Sequence, residues 1–276
     1  MIDSSPLQDA IDRMHAKTPV ARALSSAEWA DVPQEIRDRS FWTARFAEAD
    51  LLQLMHDKIS TALEMGREEV KNGTRLVNRS TFIGDMKVAL SAAGYMPEPG
   101  DEGTIKDHSS RGRLGMIYDI NTRLAAGYGG WVAGQSQGAL DAFPAQELYR
   151  ESSRKVPRNW RSRWAAHGGQ SFAGGRMIAL KNDPIWSTIS TFGSPYPPFD
   201  YNSGMGIRNI SRSEAIALGV MSDKDRVRPM RAGLNDGLEA SAQQFSPDIL
   251  KSLAKTLGDR AVLEDGKLRY VGGPQS

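Results

Sequence analysis

The stretch YPPFDYNSGMGIRNISRSEAIALGV, residues 196–220, changes character halfway along its length. Its first half combines prolines, glycines and aromatic residues, a composition typical of irregular backbone held in one shape. Residues 207–210 then predict a short strand, and Ser211 or Ser213 predicts the N-cap of a helix that ends at Gly219. Nothing in the stretch has the pattern of an activated nucleophile, so we interpret its first half as a structural element rather than the edge of an active site.

Two further strands are predicted upstream of this stretch. Tryptophan and arginine alternate in NWRSRWAAHGG, residues 159–169. In a strand, Trp160, Ser162 and Trp164 would share one face and the two intervening arginines the other. The segment GGRMIALKNDPIW predicts a second strand, from Arg176 to Leu180, which ends before a proline.

Helices are predicted for most of the chain before residue 150. Apolar residues recur at three- and four-residue steps between Ala47 and Val70, which is typical of an amphipathic helix. Other helices are predicted over residues 7–17 and from Ser80 or Thr81 to Gly94.

Two connecting segments and one glycine-rich helix complete this half. Residues 17–33 predict an extended connector that Trp29 anchors, and residues 97–113 predict a polar loop. The long helix that follows the loop contains several glycines in its second half, each costing roughly 1 kcal/mol relative to alanine. They indicate close packing against a neighbouring backbone or an early end of the helix. Asn121 lies on the apolar stripe of this helix and predicts a buried polar contact with a neighbouring segment.

The C-terminal part predicts a helix followed by a hairpin. The segment SPDILKSLAKTLG, residues 246–258, has a capped helical pattern, and Asp265-Gly266 suits a two-residue turn between two strands. We therefore predict an α+β fold: a mostly helical N-terminal half, a small mixed core with short antiparallel strands, and a C-terminal helix and hairpin. The predicted domains are residues 1–105, 106–220 and 221–276.

Composition narrows the classes of function. The chain has 276 residues, 39% of them hydrophobic, and a formal net charge of +2, so no strong overall field attracts nucleic acid or membrane. It has no cysteine, which excludes disulfides, thiolate zinc sites and a cysteine nucleophile and fits a reducing compartment. The N-terminus lacks the apolar core of a signal peptide, and no apolar run approaches the roughly 20 residues of a membrane span, so no membrane association is expected.

No catalytic or metal-binding set is evident. The four histidines show no paired spacing of the kind that binds zinc, so neither a metal nor another cofactor is expected. His167 precedes a glycine turn, and as a catalytic base it would need an orienting carboxylate, for which Asp183 and Asp200 are the candidates. The alternative that we favour is a histidine that ends a strand. The chain also has no nucleophile elbow, P-loop or dinucleotide fingerprint, and we predict that it is not an enzyme.

A cluster of basic residues is the main charge feature, with Glu151 as its nearby acidic residue. Interleaved with tryptophans, such residues can bind phosphate backbones through charge and stacking. The alternative, which the alternation favours, is that the tryptophans face the core and the arginines are solvated. The candidate nucleic-acid or partner-binding residues are Arg150, Arg154, Lys155, Arg158, Arg161 and Arg163.

Several motifs together resemble one family. The helix IYDINTRLAAGYGGW, residues 117–131, is similar to a helix of the phage head morphogenesis proteins of the Mu F-like group. The tryptophan–arginine segment, His167-Gly168, GRMIAL, DPIW, YPP and ISRSEAIALG follow in the order found in that family, and the segments AIDRMHAKTPV, RSFWTARFAEADLLQLM and RAVLEDGKLRY also look similar. Where many members have G-C-x-C, this chain has GMGI, with Met205 and Ile207 in place of the cysteines. The residues that carry the resemblance or its turn are Asn121, Trp160, Trp164, His167, Trp186, Pro197, Pro198, Gly204 and Gly206.

The resemblance implies a minor capsid protein of a tailed phage or prophage. Such a protein binds the portal or procapsid, belongs to the virion, and is present in the host cytoplasm during assembly. Other head proteins would be partners, and double-stranded DNA is a further expected partner. The alternative is an effector carried by the virion, a nuclease or ADP-ribosyltransferase, in which His167, Arg161 and Arg163 would stabilise a phosphate-centred transition state.

Overall fold

Helices form most of the N-terminal half, as predicted, in the computed structural model of the chain. The structure describes residues 5–32, 34–72, 79–230, 239–241, 255, 261–264 and 267–270. Two compact units are present, one made of residues 1–10 and 123–234 and the other of residues 11–122 and 235–276. The helices are α1 (Ser5–His15), α2 (Ser26–Ala30), α3 (Gln34–Arg39), α4 (Ala49–Asn72), α5 (Arg79–Ala92), α6 (Arg111–Gly134), α7 (Gln137–Ala142), α8 (Trp160–Ala166), α9 (Ile185–Thr188) and α10 (Arg212–Ala217).

The strands are short, and the α+β class is confirmed. A four-stranded antiparallel sheet has the order β4-β5-β3-β6, and smaller sheets pair β1 with β2 and arrange β7, β9 and β8 side by side. The strands are β1 (Thr18–Pro19), β2 (Ser40–Phe41), β3 (Ala145–Arg150), β4 (Ser171–Phe172), β5 (Arg176–Leu180), β6 (Met205–Ile210), β7 (Glu239–Ser241), β8 (Ala261–Glu264) and β9 (Lys267–Tyr270).

The helices predicted before residue 95 are confirmed, with small changes at their ends. Leu52, Met55 and Ile59 form the fully buried stripe of α4, and α4 packs against α5. The connector over residues 17–33 is less extended than predicted, because Ser25 caps the short helix α2 through a capping box. Trp29 does anchor this connector: its ring stacks on that of Trp42 with the centroids 4.5 Å apart.

Helix α6 continues through its glycines to Gly134, so the predicted early end is wrong and the prediction of close packing holds at one position. A Cβ atom placed on Gly127 would overlap the backbone carbonyl of Pro197, whereas one placed on Gly130 would meet nothing within 4 Å. The described hydrogen bond of Asn121 runs within the helix rather than to a neighbouring segment: its Nδ2 donates to the Ile117 carbonyl at 2.9 Å.

The strand predicted at Trp160–Trp164 is wrong, because these residues form helix α8. Asn159 caps the helix by accepting a hydrogen bond from the Ser162 N–H at 3.0 Å. The two tryptophans are four residues apart, so they share a face in a helix as well as in a strand, and both are buried. Gly168, at φ +81°, follows the last turn.

The four-stranded sheet has an apolar layer on each face. Strands β5 and β6 were predicted, whereas β3 between them was not. On one face Leu148 packs with a cluster that contains Trp160, Trp164, Trp186, Phe199 and Met205. On the other face Ala145, Ile178 and Ile210 pack against Ala215 of α10, the helix predicted after Ser211, which is its N-cap. Apolar side chains therefore cover the sheet on both faces.

The predicted C-terminal hairpin is confirmed for its strands. Strands β8 and β9 pair antiparallel, with Glu264 opposite Lys267. The turn residues Asp265 and Gly266 and most of the helix predicted over residues 246–258 lie outside the described residues.

Candidate functional site

Three basic side chains of the predicted cluster bind the backbone just before β6. Arg158 Nη1 donates to the Tyr201 carbonyl at 2.7 Å, and Arg154 Nε donates to the Asn202 carbonyl at 2.8 Å. Arg150 Nη1 donates to the Ser203 carbonyl at 3.4 Å. Residues 200–203, called here the clamped segment, thus have three consecutive carbonyls held by guanidinium groups. Hydrogen bonds from charged donors are stronger than neutral ones, so these contacts restrain the backbone.

Asp200 begins the clamped segment and supplies its counter-charge. Its carboxylate is 3.0 Å from Arg163 Nη1 and 3.5 Å from Arg158 Nε, and its side chain is only 11% exposed. The Arg163 guanidinium also donates to Thr191 Oγ1 at 3.1 Å and lies 4.9 Å from the centre of the Trp160 ring. Helix α8 thus has two roles: it buries Trp160 and Trp164, and its Arg163 pairs with Asp200 of the clamped segment.

The residues around the clamped segment favour this course of the chain. The Pro197–Pro198 peptide bond is cis, and Gly204 has φ +66°. A Cβ atom placed on Gly204 would overlap the Ser152 carbonyl. The Gly204 carbonyl in turn accepts hydrogen bonds from the N–H groups of Glu151 and Ser152 at 3.0 and 3.1 Å. Glycine is required at this position by both its φ angle and its close neighbour.

Several other residues that the sequence analysis singled out lie in the packed interior or form internal contacts. Trp186 is fully buried, and its Nε1 donates to the Leu180 carbonyl at 2.8 Å. Trp164 Nε1 donates to the Gln170 carbonyl at 2.8 Å. A Cβ atom on Gly206 would come within 3.1 Å of Glu151 Oε2. Met205 is buried in the tryptophan cluster, and Ile207 packs against it.

Lys155 and Arg161 differ from the clamping arginines. Both are exposed, and within the described residues neither forms a hydrogen bond or ion pair. Arg161 lies beside a cavity of about 340 Å³ between β3, β5 and the start of α8. Four arginines and one glutamate line this cavity: Arg150, Arg158, Arg161, Arg176 and Glu147. The local charge is positive, so the cavity and its rim can attract an anion such as a phosphate group.

A buried charge network on the sheet was not predicted from the sequence. Glu147 of β3 lies between two arginines from the neighbouring strands: its Oε2 is 2.6 Å from Arg176 Nη2 and 2.8 Å from Arg208 Nη2. Arg176 also pairs with Glu214 of α10 at 2.8 Å. Burial acts to raise the pKa of Glu147, but the hydrogen bonds from Arg176 and Arg208 outweigh it, and this pKa lies below its ordinary value.

His167 is not joined to either carboxylate that the sequence suggested. It is exposed at the C-terminus of α8. Asp200 pairs with arginines, and Asp183 Oδ1 accepts a hydrogen bond from the Ile185 N–H at 2.8 Å. Within the described part of the chain, no group of three or more acidic or histidine side chains is placed to hold a metal ion.

The comparisons with known proteins found no relative of this chain. Among the described helices, none combines the length and apolar character that crossing a membrane requires. Neither a protein-family model, nor a curated protein, nor a solved structure matches this chain.

Proposed function

We propose that this chain is a non-enzymatic head morphogenesis protein of a tailed phage or prophage. In this role it binds the portal or procapsid in the host cytoplasm and becomes a minor component of the virion. The proposal rests on the order of the Mu F-like motifs along the chain. The observation that supports it most is the clamped segment, which lies within the part of the chain that carries those motifs.

The chemistry of the clamped segment favours recognition of a surface over reaction with a molecule. Arg150, Arg154 and Arg158 direct their charged groups at backbone carbonyls, which are neutral and do not react. Such bonds hold the course of the chain, as a docking surface requires before its partner arrives. Arg158 remains 49% exposed while it holds the segment, so part of its charge still faces outward.

Contact with packaged DNA is a second candidate function, and the cationic cavity favours it. Lys155 and Arg161 are exposed and, within the described residues, have no internal partner that would compete with a phosphate. Arginines on the rim of a cavity of about 340 Å³ can contact phosphate oxygens without any base-specific readout. This activity is compatible with a head protein that lies near the portal.

The effector alternative, a nuclease or ADP-ribosyltransferase, has less support. It assigns His167, Arg161 and Arg163 to a phosphate-centred transition state, but the Arg163 guanidinium is already paired with the Asp200 carboxylate. Incubation of the purified protein with RNA, DNA and NAD tests this alternative. Cleavage or transfer that the change His167→Ala abolishes would replace the assembly role with an enzymatic one.

Co-purification tests the assembly role. The chain, carrying an affinity tag, is expressed together with the portal protein encoded in the same assembly operon, and the eluate is analysed for the portal. We expect the portal to be retained. Absence of the portal from the eluate, together with intact particles from a strain that lacks this chain, would contradict the proposal.

A further inference from the structure

A second cavity lies away from the clamped segment, between the second half of α6 and the sheet. Its volume is about 460 Å³, within the range of about 300–1,000 Å³ that small-molecule sites occupy. The Trp131 and Tyr196 rings and Gly130 form part of its wall, and Gln146 of β3 and Lys181 after β5 are polar residues in its lining.

Lys181 is a buried cation in this cavity. The residue is 4% exposed, and its backbone N–H is held by the Pro144 carbonyl at 2.9 Å, so its position is fixed by the sheet. Its Nζ lies 3.6 Å from the place where a Gly134 Cβ would stand, at the C-terminal end of α6. The partial negative charge of that helix end favours an ammonium there. In the described residues no hydrogen-bond acceptor or carboxylate is paired with Lys181 Nζ.

Two other polar side chains of the lining also lack partners among the described residues. Gln146 is 5% exposed and its side-chain amide forms no hydrogen bond there. Trp131 Nε1 is buried without an acceptor. Buried polar groups are ordinarily hydrogen-bonded, and a buried ammonium without a counter-charge is costly. Trp131 Nε1 is buried without an acceptor, and the Lys181 and Gln146 side chains line the same cavity, so an acceptor placed in it would meet donors from these residues.

We propose that this cavity binds a small organic carboxylate. Its carboxylate accepts hydrogen bonds from Lys181 Nζ and the Gln146 amide, and its apolar body lies against the Trp131 and Tyr196 rings. A single lysine with amide and aromatic neighbours suits one negative charge on a flat or apolar ligand. A nucleotide phosphate, with more charge, would call for several cations. Burial lowers the pKa of Lys181, which a bound carboxylate would oppose by supplying the missing counter-charge.

The test compares each acid with its own neutral amide. Benzoate, benzamide, indole-3-acetate and indole-3-acetamide are titrated into the full-length protein at neutral pH, and binding is followed by calorimetry and ligand-observed NMR. For at least one pair, the acid should bind at least tenfold more tightly than its amide. The change Lys181→Met should remove that preference, since it keeps the length and volume of the side chain and removes the charge. Lys224→Met, at an exposed lysine of the same unit, is the matched control and should leave the preference intact.

A second variant separates the cavity from a general effect of charge. A Cβ atom placed on Gly130, which lines the cavity, would meet nothing within 4 Å, so we expect Gly130→Leu to fold, to place its side chain at the cavity wall and to reduce binding of the acids at least tenfold. The absence of binding by all four probes at millimolar concentration would overturn the proposal. Equal binding of each acid and its amide, or binding that both Lys181→Met and Gly130→Leu leave unchanged, would overturn it as well.

Discussion

The Arg163 guanidinium lies 3.0 Å from the Asp200 carboxylate, although the two residues are 37 positions apart in the sequence. This pair joins helix α8 to the first residue of the clamped segment. Asp200 also lies 3.5 Å from Arg158, so one carboxylate is shared by two guanidinium groups. The segment is therefore held at its first residue by ion pairs and along the next three by bonds to its carbonyls.

Replacement of this carboxylate should weaken the fold. Asp200→Asn removes the negative charge between two arginines, and we expect the free energy of unfolding to fall by about 2 kcal/mol, as for the loss of hydrogen bonds to a charged group. Urea denaturation followed by tryptophan fluorescence measures the change. The control Asp223→Asn, at an exposed residue, should stay within about 0.5 kcal/mol of the unchanged protein. Equal stability of all three proteins would show that the pair contributes nothing.

Two glycines three residues apart in α6 should respond in opposite directions. Gly127→Ala should lower the free energy of unfolding by more than about 1 kcal/mol, because the new Cβ would overlap the Pro197 carbonyl. Gly130→Ala should raise it by up to about 1 kcal/mol, because the new methyl group meets no atom and alanine favours the helix. Chemical denaturation of the two variants compares them directly. Stabilisation by both changes would mean that α6 does not approach residue 197 closely.

The Glu147 network should make stability depend on pH in the acidic range. The pKa of Glu147 is lowered in the folded protein, so its contribution is present above the unfolded value of about 4.3 and is lost as the pH falls through the folded value. At neutral pH, Glu147→Gln should be less stable than the unchanged protein by about 2 kcal/mol. That difference should shrink as the pH is lowered below about 4.

Denaturation curves of both proteins across this range provide the measurement. Glu98→Gln, at an exposed glutamate, is the matched control and should show no such change with pH. A difference between Glu147→Gln and the unchanged protein that stays constant down to the lowest accessible pH would contradict the network's role.

If this chain binds DNA, its affinity should fall as the salt concentration rises, and two exposed cations should contribute to it. Lys155→Glu combined with Arg161→Glu should weaken binding to duplex DNA of any sequence and reduce the slope of log affinity against log salt by about two. Fluorescence anisotropy with two unrelated duplexes at several salt concentrations tests this. These two positions make no described bonds to the clamped segment, so the fold should be unchanged. An affinity that does not vary with salt would exclude phosphate contacts.

Local sequence patterns predicted much of the secondary structure correctly, but they also led to the wrong prediction of a strand at Trp160–Trp164. Helix α4, strand β5 and the capped helix α10 agree with apolar spacing and capping residues that lie within each element. Trp160 and Trp164 share a face in both a strand and a helix, so their spacing does not distinguish the two, whereas the cap at Asn159 is a feature of the helix alone. Strand β3 has the sequence AQELYR, whose alanine, glutamine, glutamate and leucine favour helices, and pairing with β5 and β6 overrides that preference.

Local sequence patterns could not predict the contacts between residues that are far apart in the chain. The sequence identified Arg150, Arg154 and Arg158 as a basic cluster, but the carbonyls that they bind are 43 to 53 residues away. The Glu147–Arg208 pair depends on the register between β3 and β6, which the sequence alone does not specify. Lys181 follows a predicted strand and carries no motif, so its cavity could be recognised only from the packed structure.

The most direct test of the assembly role measures portal retention by two matched double variants. Arg154→Ala with Arg158→Ala releases the Tyr201 and Asn202 carbonyls, whereas Arg226→Ala with Arg228→Ala removes two exposed arginines that make no described hydrogen bonds. The unchanged chain and the second variant should retain the portal in co-purification, and the first variant should lose it. Equal retention by the two variants would contradict a role for the clamped segment. No retention by the unchanged chain, together with intact particles from a strain that lacks it, would contradict the assembly role itself.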